Sequence, residues 1–196
     1  MTLADLDIKI LQLINQYSIN GSITPLSDGT VEDYTLRTRN LIDDCQKEIA
    51  GIYPVVKTAE YSQVAANTGE SFVSYALPED CDKVLSMEVL NFPDFKPAQY
   101  KVYDGFFYVS PYLNGTLILT YTKKLVEINS STLSTATLEI DTAYQPLVAY
   151  YVAGHVYLED NATIGTMLMN EYEQKLSRSK PKPIVQQSTV INSWGW

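Results

Sequence analysis

The chain has 196 residues, enough for one ordinary domain or two small lobes. Hydrophobic residues make up 45% and charged residues 19%, which excludes a disordered chain. The net charge of −9 argues against a reader of DNA or RNA sequence, because such proteins cluster Lys and Arg against phosphates.

No apolar run approaches the ~18 residues of a membrane helix, so no membrane partner is expected. Met1–Asp7 carries two acids and no basic region. That is no signal peptide, and the expectation is folding in a cytoplasm. Cys45 and Cys81 fit neither a disulfide framework nor a zinc spacing and read as buried, reduced thiols. Tyrosine is overrepresented, with 15 Tyr against 5 Phe and 2 Trp. Ordinary β-sheet usage accounts for part of this, and Tyr also suits surfaces buried on assembly.

In chain order, Leu3, Leu6, Ile10, Leu13 and Tyr17 alternate spacings of three and four and predict a helix over 3–17. A second helix should start near Val31, with Thr30 and Asp33 as a capping box. Tyr34, Leu41, Cys45, Ile49 and Ile52 line its inner face, widened by Leu36 and Ile42, and Gly51 and Pro54 bracket its end.

From residue 55 to 140 the period changes to two. Strands are predicted over 71–77, 83–90 and 115–121. Tyr100–Tyr103, Asp104-Gly105 and Phe106–Val109 read as a two-residue hairpin, because Asp-Gly favours the left-handed conformations of a type I′ turn. Residues 129–137 are rich in Ser and Thr and read as a loop.

Helix returns near 143, with Pro146 in its first turn. Leu147, Tyr150, Tyr151, Gly154 and Leu158 form its stripe, and Gly154 predicts close approach of a neighbouring helix. Glu159-Asp160-Asn161 is a tight link that can cap a fourth helix bearing Ile164, Leu168, Tyr172 and Leu176. These two helices should form an antiparallel hairpin.

The expected fold is α+β. Residues 1–54 and 141–178 form a four-helix bundle, and residues 55–140 form a β-rich insertion lobe between helices two and three. Residues 179–196 form an extended docking tail. Ile184, Val185, Val190, Ile191, Trp194 and Trp196 make that tail apolar, and they are the candidate partner-binding residues. Folding back on its own domain is the plainer alternative.

Catalytic equipment is sparse. The single histidine, His155, has Glu159 one turn away and reads as a helix surface pair. No phosphate-binding glycine loop or nucleophile elbow occurs. Asp43-Asp44, Glu79-Asp80 and Glu159-Asp160 are acid pairs at helix surfaces or element ends, where solvated acids are ordinary. No catalytic residue, cofactor or metal ligand is assigned.

Several pieces occur in an informative order. They are the N-terminal helical pair; Tyr75-Ala76-Leu77-Pro78-Glu79-Asp80; the 100–109 hairpin with its closing strand to Tyr121; and Ile140-Asp141 through Tyr144-Gln145-Pro146 to Tyr157-Leu158-Glu159-Asp160. Over residues 3–178 this organisation resembles the head-to-tail adaptor proteins of tailed bacteriophages. The resemblance implies a non-enzymatic virion protein assembled in the bacterial host cytoplasm and located at the head–tail junction. It implies a homo-oligomeric ring, commonly dodecameric, between the portal protein and a tail nozzle or tail tube protein. Genomic DNA would pass through that ring without sequence recognition, and an acidic bore suits such passage.

Two other readings compete. One is a non-enzymatic module whose β lobe binds a protein or glycan; a glycan binder predicts exposed aromatics clustered in one pocket, and a ring adaptor predicts them on two opposite flanks. The other is a carboxylate hydrolase, which needs two acids facing one cleft.

Overall fold

Helix α1 (Leu3–Gln16) begins at a reciprocal cap. The Asp5 N–H donates to Thr2 Oγ1 at 3.1 Å and the Thr2 N–H to Asp5 Oδ2 at 3.0 Å. Leu3, Leu6 and Ile10 are fully buried, as their spacing predicts. Tyr17, assigned to the same stripe, lies outside the described residues, which in this computed structural model are 1–16, 30–65, 71–91 and 94–179. Helix α2 (Thr30–Ile52) buries Ile42, Cys45 and Ile49, whereas Ile52 is half exposed. The side chains of Thr30, Asp33, Tyr34 and Leu36 also lie outside the described set.

Seven strands follow: β1 (Val56–Gln63), β2 (Val73–Ala76), β3 (Cys81–Asn91), β4 (Asp94–Pro97), β5 (Tyr100–Tyr103), β6 (Phe106–Val109) and β7 (Gly115–Lys123). They form two antiparallel sheets, ordered β1-β7-β3-β4 and β2-β6-β5. The sequence pattern names neither β1 nor β4. Asp104 at φ +49° and Gly105 at φ +76° close the β5–β6 hairpin with the predicted left-handed turn. Met87, Val89, Leu117 and Leu119 of the larger sheet and Phe107 and Val109 of the smaller one share a single core, so the sheets pack face to face.

Residues between β7 and the third helix form no long element, yet they are not a surface loop. Ile128, Leu138, Ile140 and Tyr144 enter the core that α1 and α2 line. Two polar side chains of α2 receive this segment. Asp43 accepts the Ile128 N–H at 2.9 Å. Gln46, fully buried, accepts the Glu139 N–H at 3.1 Å and donates to the Val126 carbonyl at 3.3 Å. On the other side, Leu3 and Ala4 donate their N–H groups to the carbonyls of Ala136 and Ser134. Residues up to 140, expected in the β lobe, therefore supply apolar side chains to the helical core.

Helix α3 (Leu147–Asp160) starts directly after Pro146, whose φ of −65° suits a helix start. Helix α4 (Ala162–Arg178) is capped by Asn161, which accepts from the N–H groups of Thr163 and Ile164. Helix α3 packs against α1, α2 and α4. Four helices and two antiparallel sheets make the fold mixed α+β.

The α3–α4 contact is set by glycine. A Cβ on Gly165 would stand 2.7 Å from the Leu158 backbone nitrogen. A Cβ on Gly154 would meet Met169, at 2.8 Å from its Sδ. Backbone cannot yield as a Met side chain can. Gly165→Ala should therefore cost about 1–2 kcal/mol net, after the ~1 kcal/mol that Ala gains in helix propensity, while Gly154→Ala costs less, because the Met169 backbone nitrogen stands further off at 3.3 Å. Urea unfolding of both variants checks this order. Gln46→Leu should cost about 1–2 kcal/mol in the same assay, because it removes both bonds that the buried Gln46 amide makes with the part-buried Glu139 N–H and Val126 carbonyl.

Candidate assembly surfaces

The groups that chemistry would recruit are engaged in structure. His155 packs its ring on Tyr151, with centroids 4.4 Å apart, and Glu159 pairs with Arg37 of α2 instead of with His155. Asp43, expected on a solvated helix surface, is buried and also pairs with Lys47 at 2.5 Å. The buried thiol of Cys45 lies 3.9 Å from the Tyr172 hydroxyl, which donates to Glu48 at 3.1 Å. Burial pushes both the Cys45 thiol and the Tyr172 phenol far above their ordinary ranges, which suits packing and not nucleophilic attack. Cys81, expected to be buried, is only partly covered. Among the described residues, no three His, Cys, Asp or Glu side chains gather as a metal cluster.

Asp80 also departs from the solvated default. It takes the Lys57 ammonium at 2.7 Å on one oxygen and the Tyr121 hydroxyl at 2.9 Å on the other, and its carbonyl accepts the Lys124 N–H. The Lys57 and Tyr121 bonds hold the Asp80 carboxyl below its ordinary value, and burial with the Asp80 bond pushes Tyr121 up to about 12. This knot joins β1, β7 and the turn before β3.

Among the described residues, three surface features stand out. A groove of about 590 Å³ runs between α1 and the start of α3, past Ile8, Lys9, Gln145 and Pro146. A cleft of about 540 Å³ separates the end of α2 from the larger sheet and is lined by Lys47, Lys83, Lys123 and Lys124. That places four of the chain's 14 Lys and Arg residues in one cleft. The third feature is the outward face of the smaller sheet. Phe107 and Val109 point inward and are fully buried, so the alternating residues Phe106 and Tyr108 point outward with their register partners Tyr103 and Lys101. Phe72 extends the face, with the Lys101 ammonium 5.3 Å from its ring centre. Tyr103 is 73% exposed, Phe72 48% and Phe106 42%.

Phe72, Tyr103 and Phe106 thus gather on one shallow flank, which is neither the single pocket expected of a glycan binder nor the two opposite flanks expected of a ring adaptor. The sequence carried a signal for it: Phe106-Phe107-Tyr108-Val109 is apolar on both faces, whereas an antiparallel strand with one solvated face alternates. Ile184, Val185, Val190, Ile191, Trp194 and Trp196, the tail residues assigned to partner binding, lie outside the described residues.

Comparison with known families gives the chain a family. The profile of the SU10 adaptor protein family matches residues 1–191. The chain belongs to that family. It is a head-to-tail adaptor family of tailed bacteriophages, so this adaptor is a structural virion component. The match runs through Ile191, further than the resemblance over 3–178, and so takes in most of the apolar tail. A search of curated proteins returns no match. No described helix of the adaptor is long and apolar enough to cross a membrane.

The Asp80 knot gives the adaptor a pH signature. Its carboxylate contribution is complete above the ordinary value of 3.8 and is lost as pH falls through the lowered value. The Tyr121 contribution is complete below its ordinary 10.0 and is lost as pH rises toward 12. Melting temperatures of Asp80→Asn should consequently decline less steeply than wild type between about pH 5 and pH 2, and those of Tyr121→Phe less steeply above about pH 10.

Proposed function

We propose that this adaptor forms a ring, dodecameric as the resemblance implies, that joins the portal protein to a tail nozzle or tail tube protein. Genomic DNA passes through the ring without sequence recognition. The observation that carries the reading is the family match over residues 1–191. The net charge of −9 supports it, since a repulsive lining lets a polyanion slide. The engagement of His155, Asp43 and Asp80 in packing and structural bonds supports a non-enzymatic role. In this reading residues 1–54 and 141–178 act as one four-helix bundle, 55–140 as a projecting β lobe and 179–196 as a tail that docks on the portal. Assembly takes place in the host cytoplasm.

Co-purification with the portal ring followed by electron microscopy tests the ring. Deleting residues 180–196 should lower adaptor occupancy on the portal at least about tenfold, equivalent to losing roughly 1.4 kcal/mol per contact. Occupancy equal to wild type would remove the tail from the attachment.

The aromatic flank favours a second reading, in which the β lobe binds a protein or glycan partner without catalysis. Binding of the free adaptor to a glycan array, abolished by Tyr103→Ala, would support it.

A further inference from the structure

The two sheets of the β lobe pack through their inner faces, so their outer faces point to opposite flanks. The flank of the smaller sheet is aromatic and carries Lys101. The flank of the larger sheet has a different character. Tyr61, Leu117 and Val89 form an inward rung, so the next rung, Glu60–Ile118–Glu88, faces outward. The rungs beside it are Thr58–Thr120–Ser86 and Ser62–Thr116–Leu90. Two carboxylates therefore flank one isoleucine, two strand spacings or roughly 9–10 Å apart, in a field of hydroxyls. Among the described residues neither glutamate has an ion-pair partner.

The flanks complement each other. Lys101 offers one cation to the pair of carboxylates, Tyr103 and Tyr108 offer hydroxyls to Thr and Ser, and Phe106 and Phe72 offer apolar area to Ile118. The levels also agree. Gln63 donates to the carbonyls of Ser110 at 2.8 Å and Leu113 at 3.1 Å, which clamps the distal ends of the two sheets together. Glu60 lies three residues from that clamp along β1. Lys101 pairs with Tyr108, two residues from Ser110. One residue of strand rise, ~3.4 Å, separates the two levels.

We propose that the outward face of the β2-β6-β5 sheet docks on the outward face of the β1-β7-β3-β4 sheet of a neighbouring copy, with Lys101 seated between Glu60 and Glu88. Contact between unlike faces on opposite flanks is head-to-tail, the kind of contact that makes a ring when the rotation between copies closes. The proposal rests on the ring reading and specifies one of its lateral contacts. The docking face spans roughly 14 Å by 14 Å by strand rise and spacing. That is far below the ~800 Å² per partner of a stable pair, so the contact operates on a portal template.

The test uses full-length chains on portal rings, with adaptor occupancy counted by electron microscopy. Lys101→Glu alone and Glu60→Lys/Glu88→Lys alone should each reduce complete rings at least about tenfold, as like charges then meet. An equimolar mixture of the two variants should restore rings, because each mutant face then meets a complementary one in alternation. Tyr103→Ala, which changes no charge, should weaken ring formation without being rescued by either variant. Wild-type rings unaffected by both charge variants, or loss that the mixture does not rescue in variants that melt like wild type, would overturn the docking alone. A wild-type adaptor that forms no ring on the portal would overturn the ring reading and the docking with it. Aromatic-dependent glycan or foreign-protein binding, with ring formation indifferent to Lys101, would assign the face to that ligand instead.

Discussion

Asp43 and Gln46 stand on the buried face of α2, where apolar residues would ordinarily sit, and both direct their hydrogen bonds at the backbone of the segment leaving the β lobe. A segment without regular structure has unpaired N–H and C=O groups, which cost heavily when buried. Here α2 satisfies the Ile128 and Glu139 N–H groups and the Val126 carbonyl, while α1 supplies N–H donors to Ala136 and Ser134. Gln145, just ahead of α3, donates to the carbonyls of Leu138 and Ile140. With its polar groups matched, the segment can release Ile128, Leu138 and Ile140 into the core. Helices α1 and α2 and the lead into α3 are thereby laced by a piece of chain that belongs to none of them.

The same segment controls how the β lobe meets the helices. Lys123, at the end of β7, pairs with Glu139, whose N–H is held by Gln46. Lys57 and Tyr121 converge on Asp80 at the base of the lobe. The Lys123 N–H returns to the Val55 carbonyl, just past α2. Entry and exit of the lobe are thus tied to each other and to α2 by charged and backbone bonds. Their partly exposed ion pairs contribute little stability individually but fix direction. A lobe held in direction can present a flank to a neighbour repeatedly at one angle, which a freely hinged lobe cannot.

How much of this was legible depended on whether a local pattern encoded it. The stripes of α1 and α4, the Asn161 cap and the Asp104-Gly105 turn each rest on contacts within a few residues, and the structure has them. Strand β1 was missed because it lies at a sheet edge and its inward residues are Ala59, Tyr61 and Gln63, too weak an alternation to register. Strand β4 is short and ends in Pro97, which argues against a strand. Asp43 looked like a solvated acid because its partner lies 85 positions away in a stretch that reads as loop. Thr2 and Asp5 carry a capping-box spacing, with Asp in place of the longer Glu. The aromatic flank required knowing which strands share a sheet, and no local period supplies that.

Tyrosine shows why composition alone pointed only halfway. Many of the described tyrosines turn out to be internal fasteners. The hydroxyls of Tyr61, Tyr75, Tyr121, Tyr144, Tyr157 and Tyr172 all donate to groups elsewhere in the chain, several of them between elements that no backbone pairing connects. Such a residue fills core volume with its ring and reaches a polar partner at the rim, a useful combination where two small cores adjoin. Tyr103 and Tyr112 are the strongly exposed tyrosines, and Tyr103 shares its outward face with Tyr108, Phe106 and Phe72. Among the described residues the abundance of Tyr therefore has two physical causes, internal fastening and exposed rings, and Tyr103 and Tyr108 add theirs to the aromatic flank.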